Sequence, residues 1–509
     1  MSEPIARDDL GPGTVRVGSV RVGPVRVGTV IVGAGFAGIA AALALKAAGD
    51  DDFVILERAD AVGGTWRDNV YPGVACDVPA HLYGLSSHPW PEWSRTFAPG
   101  AEIRAYLERV VASEGLDRHL RLGVAMASAA WADGGWTLSL SAGGGDPAGD
   151  LRARSLVLAA GRLTEPLIPE IPGLEAFPGP VFHSARWDES LRIHNARIAV
   201  VGTGASAIQL APELARRGAD VRLFQRTPAW IVPRRDRAYA RAEQDGWRTD
   251  PASLAALRDE LYAEGEDRFA SRSGDPVAAA EAREAALRHL ARHVPDPELR
   301  AALTPDYAFG CKRVVLSDDF YPAIASGMVT LEPSALARVE DNVLVSAGGA
   351  RHEVDIVVLA TGFEAARQPY ARLVTGEDGI SLDDHWRDGM TSVGSTLVHG
   401  FPNLFVLNGP NASLGHSSAV LIMEEQAAFA ASLIARRETI RVTEDDERTY
   451  TSEIAERAAG TPWTSGTCRN WYTDPRSGRL TLLWPGTVDD FRVRLSEVRA
   501  TILSPALTA

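Results

Sequence analysis

Two glycine-rich hexapeptides carry the first chemistry legible in this chain, Gly33-Ala34-Gly35-Phe36-Ala37-Gly38 and Gly202-Thr203-Gly204-Ala205-Ser206-Ala207. Each follows an apolar strand-like run and opens a helix-like one. In that setting glycines allow a tight turn, let the backbone approach a pyrophosphate and bring helix close to sheet. The amides of the helix N-terminus then face the phosphates. Glu57 closes the next apolar run after the first turn, where a carboxylate accepts hydrogen bonds from a ribose diol. The second turn ends on Ala207, and the run after it closes Phe224-Gln225-Arg226-Thr227 without an acid. A guanidinium at Arg226 suits the extra 2′-phosphate of NADPH, which a carboxylate would repel. A solvated surface arginine is the competing reading of Arg226, and a glycine turn that only packs is that of the first motif. Two such turns imply two nucleotide cofactors.

The elements that must hold these residues follow from the surrounding pattern. Residues 29–32, 38–48 and 53–57 form a strand, an alanine-rich helix and a strand, and residues 198–201, 202–207 and 221–225 repeat that order. The glycine-rich stretch 142–150 is a hairpin tip between strands at 136–141 and 151–159. From 236 to 304 the text turns rich in Ala, Arg and Glu with helical spacing, which predicts a helical insertion. Strand-like text returns at 355–363 and 403–410, so late strands complete sheets begun early and the second nucleotide domain interrupts the first. The expected fold is α/β, with two Rossmann-like dinucleotide-binding domains and a helical insertion. Its expected bounds are 29–165 with 365–509 for the first domain, 166–235 with 310–364 for the second, and 236–309 for the insertion. Of a short repeat built on Arg16, Arg21 and Arg26, only the last copy clearly belongs to the fold; Gly18, Gly23 and Pro24 weaken the earlier copies as an edge strand, and residues 1–28 are expected as a flexible leader.

A length of 509 residues calls for two or three domains. Formal charge is −14, from 66 Asp and Glu against 52 Lys and Arg, which repels nucleic acid and anionic membranes. Neither a signal peptide nor a spanning segment is legible, so no membrane partner is expected. The three cysteines, Cys76, Cys311 and Cys468, are far apart and odd in number. That argues against a disulfide framework or a zinc site and for a reducing, cytoplasmic home. No His/Glu cluster suggests a metal, no Cys-x-x-Cys suggests a disulfide reductase, and no Gly-x-Ser-x-Gly elbow suggests a serine hydrolase. Lys46 and Lys312 are the only lysines. Lys312 stands beside Arg313 in Gly310-Cys311-Lys312-Arg313, either because a compact ammonium is needed there or as a surviving surface lysine.

Between the two glycine turns lies Phe177-Pro178-Gly179-Pro180-Val181-Phe182-His183-Ser184-Ala185-Arg186-Trp187-Asp188. It resembles the fingerprint Phe-x-Gly-x-x-x-His-x-x-x-Trp-(Pro/Asp) of type I Baeyer–Villiger monooxygenases, with every fixed position present. The resemblance runs from about Thr29 to Pro485. In the related flavin-containing monooxygenases the position of Trp187 is usually Tyr or Phe, which favours the ketone-oxidising branch. The resemblance implies FAD at the first turn and NADPH at the second. The reaction it implies uses dioxygen to insert one oxygen atom beside a small ketone's carbonyl, by way of a peroxyflavin, giving an ester or lactone.

Residue roles come over on matching motifs. Gly64, Thr65 and Trp66 of Gly63-Gly64-Thr65-Trp66, together with Asp77 and Tyr83, match flavin contacts. At the second turn Gly202, Thr203, Gly204, Ser206 and Gln209, with Arg226 and Thr227, match NADP contacts. Lys312 takes the NADP phosphate, and Arg313 faces the flavin as the catalytic residue with Asp77 as its partner. His183 falls to the hinge between domains rather than to the reacting centre. Leu158-Ala159-Ala160-Gly161 and Leu359-Ala360-Thr361-Gly362 look like the returns between domains. Asn470-Trp471-Tyr472 resembles a segment closing over the active site, with an aromatic pair packed on the core as the other reading. Three other functions share these residues: a flavin N- or S-oxygenase, an uncoupled NADPH oxidase, and a non-enzymatic dinucleotide sensor.

Overall fold

The first apolar run begins earlier than its valine pattern suggested. In the computed structural model, which describes residues 25–143, 145–466 and 468–504, strand β1 spans Val25–Val32. Val25, Arg26 and Val27 pair with Leu151, Arg152 and Ala153, so the expected leader 1–28 is corrected at its end. Gly28 is compatible with the strand because a Cβ there would lie 2.7 Å from the Asp52 carbonyl oxygen. The rest of the expected leader lies outside the described residues.

β1 sits inside an eight-stranded sheet with β2 (Phe53–Glu57), β3 (Leu120–Leu122), β4 (Val124–Ala132), β5 (Gly135–Ala142) and β6 (Pro147–Leu158). A second, five-stranded sheet is parallel throughout. It contains β7 (Val181–His183), β8 (Arg197–Val201) and β9 (Asp220–Phe224). Two-residue strands β10 (Ile231–Val232) and β11 (Val315–Leu316) pair beside it, and β12 (Val329–Glu332) forms its edge. An antiparallel meander, β13 (Leu336–Glu340), β14 (Val343–Ser346) and β15 (Arg351–Glu353), leads into β16 (Ile356–Leu359), which pairs with both β7 and β8. The chain then returns to the first sheet, where β17 (Val374–Thr375) pairs with β4 and β18 (Leu404–Val406) with β6. Strands covered on both faces read as continuous apolar runs, and β8, β16 and β18 do so.

One difference concerns the hairpin. Pairing of β5 with β6 continues to Ser141 opposite Pro147, so the turn is shorter than its glycine content implied. Backbone pairing there needs no side-chain packing, and residues 147–150 are exposed.

Helix α1 (Phe36–Ala47) is buried along most of its length and packs on the helix Ala419–Ile434. Short helices α2 (Thr65–Asp68) and α3 (Ala80–Tyr83) precede α4 (Gly100–Ser113), and α5 (Ala205–Arg216) follows the second glycine turn. The helical region holds α6 (Arg241–Thr249), α7 (Pro251–Ser273), α8 (Pro276–His293) and α9 (Pro297–Ala302). Three Asp-Pro pairs set the starts of α7, α8 and α9. Asp250, Asp275 and Asp296 accept backbone N–H groups of the first turn, and the following proline supplies a helical φ where no N–H is needed.

The cysteine expectation is corrected. Cys311 and Cys468 are joined by a disulfide, with their Cα atoms 6.4 Å apart, and Cys76 is free and buried. Separation along the chain does not limit such a bond when the fold brings a C-terminal segment back, and an odd count leaves one thiol over. Among the described residues no helix is long and apolar enough to cross a membrane, and no His/Cys/Asp/Glu group could hold a metal ion.

Candidate active site

The two glycine turns meet the same constraint in their separate sheets. Gly33 has φ +106°, and a Cβ there would lie 2.5 Å from the Ala159 carbonyl oxygen. Gly202 has φ +119°, with the Ala360 carbonyl oxygen 2.4 Å from its notional Cβ. Each Leu-Ala-x-Gly segment therefore abuts the glycine turn of its own sheet and closes it. Gly38 is barred from any side chain by the Gly33 carbonyl oxygen, the close helix–turn contact that the third glycine provides. Beside the turns there is room. A Cβ on Gly204 would meet nothing within 4 Å, and Gly35 faces only Gly64. Both helix N-termini lack a side-chain cap, so their first amides remain available. These cradles fit the phosphates of dinucleotides.

Glu57 is buried and already engaged. Its Oε2 accepts the Ala34 N–H at 2.9 Å, its Oε1 accepts the Ala59 N–H at 3.0 Å, and Arg67 Nη1 lies 3.0 Å from Oε1. Oε2, with a single donor, keeps lone-pair capacity for a hydroxyl. Arg67, missed in the sequence, lies in the first turn after Gly64, and its nearness to an acid at the end of β2 is set by α2. Thr65 and Trp66 are in the same helix, and Trp66 Nε1 donates to the Tyr83 hydroxyl at 3.2 Å. Burial pushes the Tyr83 phenol well above its ordinary range.

Asp77 and Arg313 come together. Arg313 Nη2 donates to Asp77 Oδ2 at 2.7 Å, Nε to the same oxygen at 3.1 Å, and Nη1 to the Leu414 carbonyl at 3.1 Å. The neighbouring carboxylate raises the guanidinium above its already high range, so it is charged at any working pH. Both residues line a cavity of about 500 Å³ whose other walls come from the 232–239 loop, α7 and Gly415-His416-Ser417.

The loop that carries Asp77 also contacts α5. Gln209 Nε2 donates to the Ala75 carbonyl at 2.9 Å, and the Tyr71 hydroxyl donates to Gln209 Oε1 at 2.9 Å. Gln209 thus sits against the other motif's loop. Thr203 donates to the Thr227 carbonyl at 2.7 Å, tying the second glycine turn to the end of β9. Ser206 lies in the first turn of α5. Lys312 stands over the Tyr307 ring at 4.7 Å, and its ammonium is pulled down by burial and then by the charge of Arg226. A half-buried ammonium within the field of a second cation is suited to an anion.

Of the fingerprint residues, His183 ends β7 where it pairs with β16, Phe177 and Gly179 lead into that strand, and Trp187 follows the turn after it. A Cβ on Gly179 would lie 2.2 Å from the Asp355 carbonyl oxygen. His183 is buried, its Nδ1 accepts the Ala185 N–H at 3.1 Å, and its ring lies edge-on to Phe363. Close by, the two passages between the sheets pair with each other, Leu167 N–H to the Gly362 carbonyl at 2.8 Å and Glu364 N–H to that of Glu165 at 3.0 Å. The C-terminal aromatics divide: Trp471 is 38% exposed while Tyr472 is buried beside the charges of Arg313 and Arg272.

Similarity to known proteins bears on this arrangement. The family described as pyridine nucleotide-disulphide oxidoreductase matches residues 30–240. A Baeyer-Villiger monooxygenase of Streptomyces coelicolor is 42% identical over 486 residues, which cover 93% of this chain and 92% of that one. Another, of Pseudomonas aeruginosa, is 39% identical over 466 residues, 90% of this chain and 87% of that one. Among solved structures, cyclohexanone monooxygenase from Rhodococcus sp. Phi1 bound to NADP+ superposes with a TM-score of 0.83 at 27% identity, covering 94% of this chain and 98% of that one. The oxidised steroid monooxygenase bound to NADP gives 0.81 at 28%, with the same coverage. With its two nucleotide cradles and these relatives over nearly its whole length, the chain belongs to the Baeyer–Villiger monooxygenases, FAD-containing enzymes that use NADPH and dioxygen to insert an oxygen atom beside a ketone carbonyl.

Proposed function

We propose that Arg313 and Asp77 form the reacting centre, that Gly33, Gly35, Gly38, Glu57, Gly64, Thr65, Trp66 and Tyr83 hold FAD, and that Gly202, Thr203, Gly204, Ser206, Gln209, Arg226, Thr227 and Lys312 hold NADPH. The first nucleotide domain is then 25–165 with 365–509 and the second 166–235 with 310–364, bridged by the helical insertion 236–309. The observation that carries this reading is the Asp77–Arg313 pair on the wall of the cavity.

When bound, the flavin supplies the oxygen-activating redox chemistry, fed by NADPH. The chain's own part is electrostatic. Of the guanidinium's five N–H donors, three are engaged by Asp77 and Leu414 and two are left for the cavity. Those two suit a carbonyl oxygen that gains negative charge as an oxygen nucleophile adds to its carbon. Asp77 accepts two of the three through one oxygen, which fixes the plane of the guanidinium and keeps it from pairing elsewhere. His183, buried and held neutral, has a conformational part where the two passages between sheets run together.

The substrate is a small ketone and the co-substrate dioxygen; no nucleic acid is expected against a charge of −14. A cytoplasmic setting is supported by the need for NADPH alone, since the Cys311–Cys468 bond withdraws the cysteine argument. The test is NADPH consumption by the purified yellow protein across cyclic, linear and aryl ketones, with mass spectrometry for one added oxygen atom. NADPH use with hydrogen peroxide as the sole product across the panel would count against ketone oxygenation.

A further inference from the structure

The cavity beside Arg313 holds more positive charge than the reacting centre uses. Arg268 and Arg272, one turn apart on α7, both line it. Arg272 is 8% exposed; its Nη1 donates to Ser271 Oγ at 3.1 Å, and its buried Nε has no partner among the described residues. Its neighbours in charge are Arg313 and Arg268, with no carboxylate among them, and burial pulls its guanidinium down to about 10. Arg268 donates to the His416 carbonyl at 3.2 Å, and the carboxylate of Glu264 stands off at 3.8 Å. A buried guanidinium without a counter-charge is costly, and an anionic ligand removes that cost.

The charge belongs to the ketone end of the cavity, not to the nucleotide phosphates. Neither Lys312 nor Arg226 lines this cavity, whereas Arg268, Arg272 and Arg313 do, together with Arg234, Arg235 and Arg237. The cavity wall includes the apolar side chains of Phe97, Leu257, Leu261 and Leu316, along with the carboxylate of Glu264.

We infer that the substrate is an oxo acid, a ketone on an apolar skeleton whose carboxylate is bound by Arg272 and Arg268 while its carbonyl faces Arg313. This rests on the proposed reaction at Arg313 and names the substrate class of that same site. Apolar side chains of the wall accept the skeleton, and Nη2 of the cavity-lining Arg272, which makes no hydrogen bond among the described residues, gives the carboxylate a charge-assisted hydrogen bond.

The test compares levulinate and its longer homologues with their methyl esters, using the FAD-loaded enzyme. For at least one chain length kcat/KM is expected to be about tenfold or more higher for the acid, the worth of a hydrogen bond to a charged group. Arg272→Gln is expected to bring that ratio to within about twofold, through the KM of the acid, and Arg272→Lys to restore part of it. Retained flavin absorbance establishes that the variants are folded, and the wild-type ratio needs no variant. Preference for the esters at every chain length overturns the inference, as does an Arg272→Gln enzyme that loses affinity for NADPH and keeps its acid-to-ester ratio. Oxygenation of esters but not acids overturns the oxo-acid assignment and leaves the reaction at Arg313 standing; oxygenation of neither overturns both.

Discussion

Asp77 and Arg313, 236 residues apart in the chain, meet through two hydrogen bonds to a single carboxylate oxygen, at 2.7 and 3.1 Å. The aspartate comes from the loop after α2 and the arginine from the segment after the helical insertion. Their meeting brings an early loop of the first sheet against the segment that leads into β11, on the wall of one cavity.

Arg313→Ala is expected to keep its yellow flavin and lose ester formation by about 10²–10³, the usual cost of removing a donor aimed at developing negative charge. Product yield against flavin absorbance measures this. Ordinary ester yield from that variant removes the guanidinium from the reaction.

Lys312 and Arg226 share one electrostatic neighbourhood. Replacing either by Ala is expected to raise KM for NADPH about tenfold or more, the value of one charge-assisted bond to phosphate, and to move KM for NADH little. Steady-state kinetics with both coenzymes decides it; equal losses for the two would place the pair away from the 2′-phosphate.

Alkylation of the denatured protein without reductant should label Cys76 alone, and all three cysteines once reductant is added. Cys468→Ser is expected to lower stability by about 2–4 kcal/mol, because the bond closes a long loop. Three labelled cysteines in the untreated protein would remove the bond.

His81 and His183 are both buried, and burial pulls each ring from 6.5 down to about 4. The unfolded chain takes up these protons below about pH 6.5 and the folded chain only near pH 4, so the unfolded state binds more protons between the two values. Stability is therefore fully present above about pH 6.5 and falls as pH drops toward 4, by about 2–3 kcal/mol for each ring. Urea melts at about pH 7 and about pH 5 measure the slope, and a flat profile would mean that the rings are solvated.

Legibility differed from motif to motif for physical reasons. The glycine turns were plain because strand, turn and helix adjoin in sequence, and the clash that bars a side chain at Gly38 comes from Gly33 itself. The helical insertion was legible only as a whole; the starts of its α7, α8 and α9 were not read, although their capping by three Asp-Pro pairs needs no distant partner. Arg67 was not legible, because its carboxylate partner Glu57 lies across a turn whose course only the fold defines. Arg272 was hidden in text rich in Ala, Arg and Glu, where an arginine reads as a solvated face. Nothing in α7 itself says that this turn is pressed against Phe309 and the cavity.

By itself the sequence determined the α/β class, the two nucleotide cradles and the family, since each rests on neighbours along the chain: β-branched runs, glycines at turn positions and the spacing from Phe177 to Trp187. The tertiary structure alone decided that β18 joins β6, that Cys311 reaches Cys468, and that the Leu414 carbonyl takes a further donor of Arg313. Pairings of that kind are governed by burial and electrostatics between segments whose separation along the chain carries no information about their distance in space.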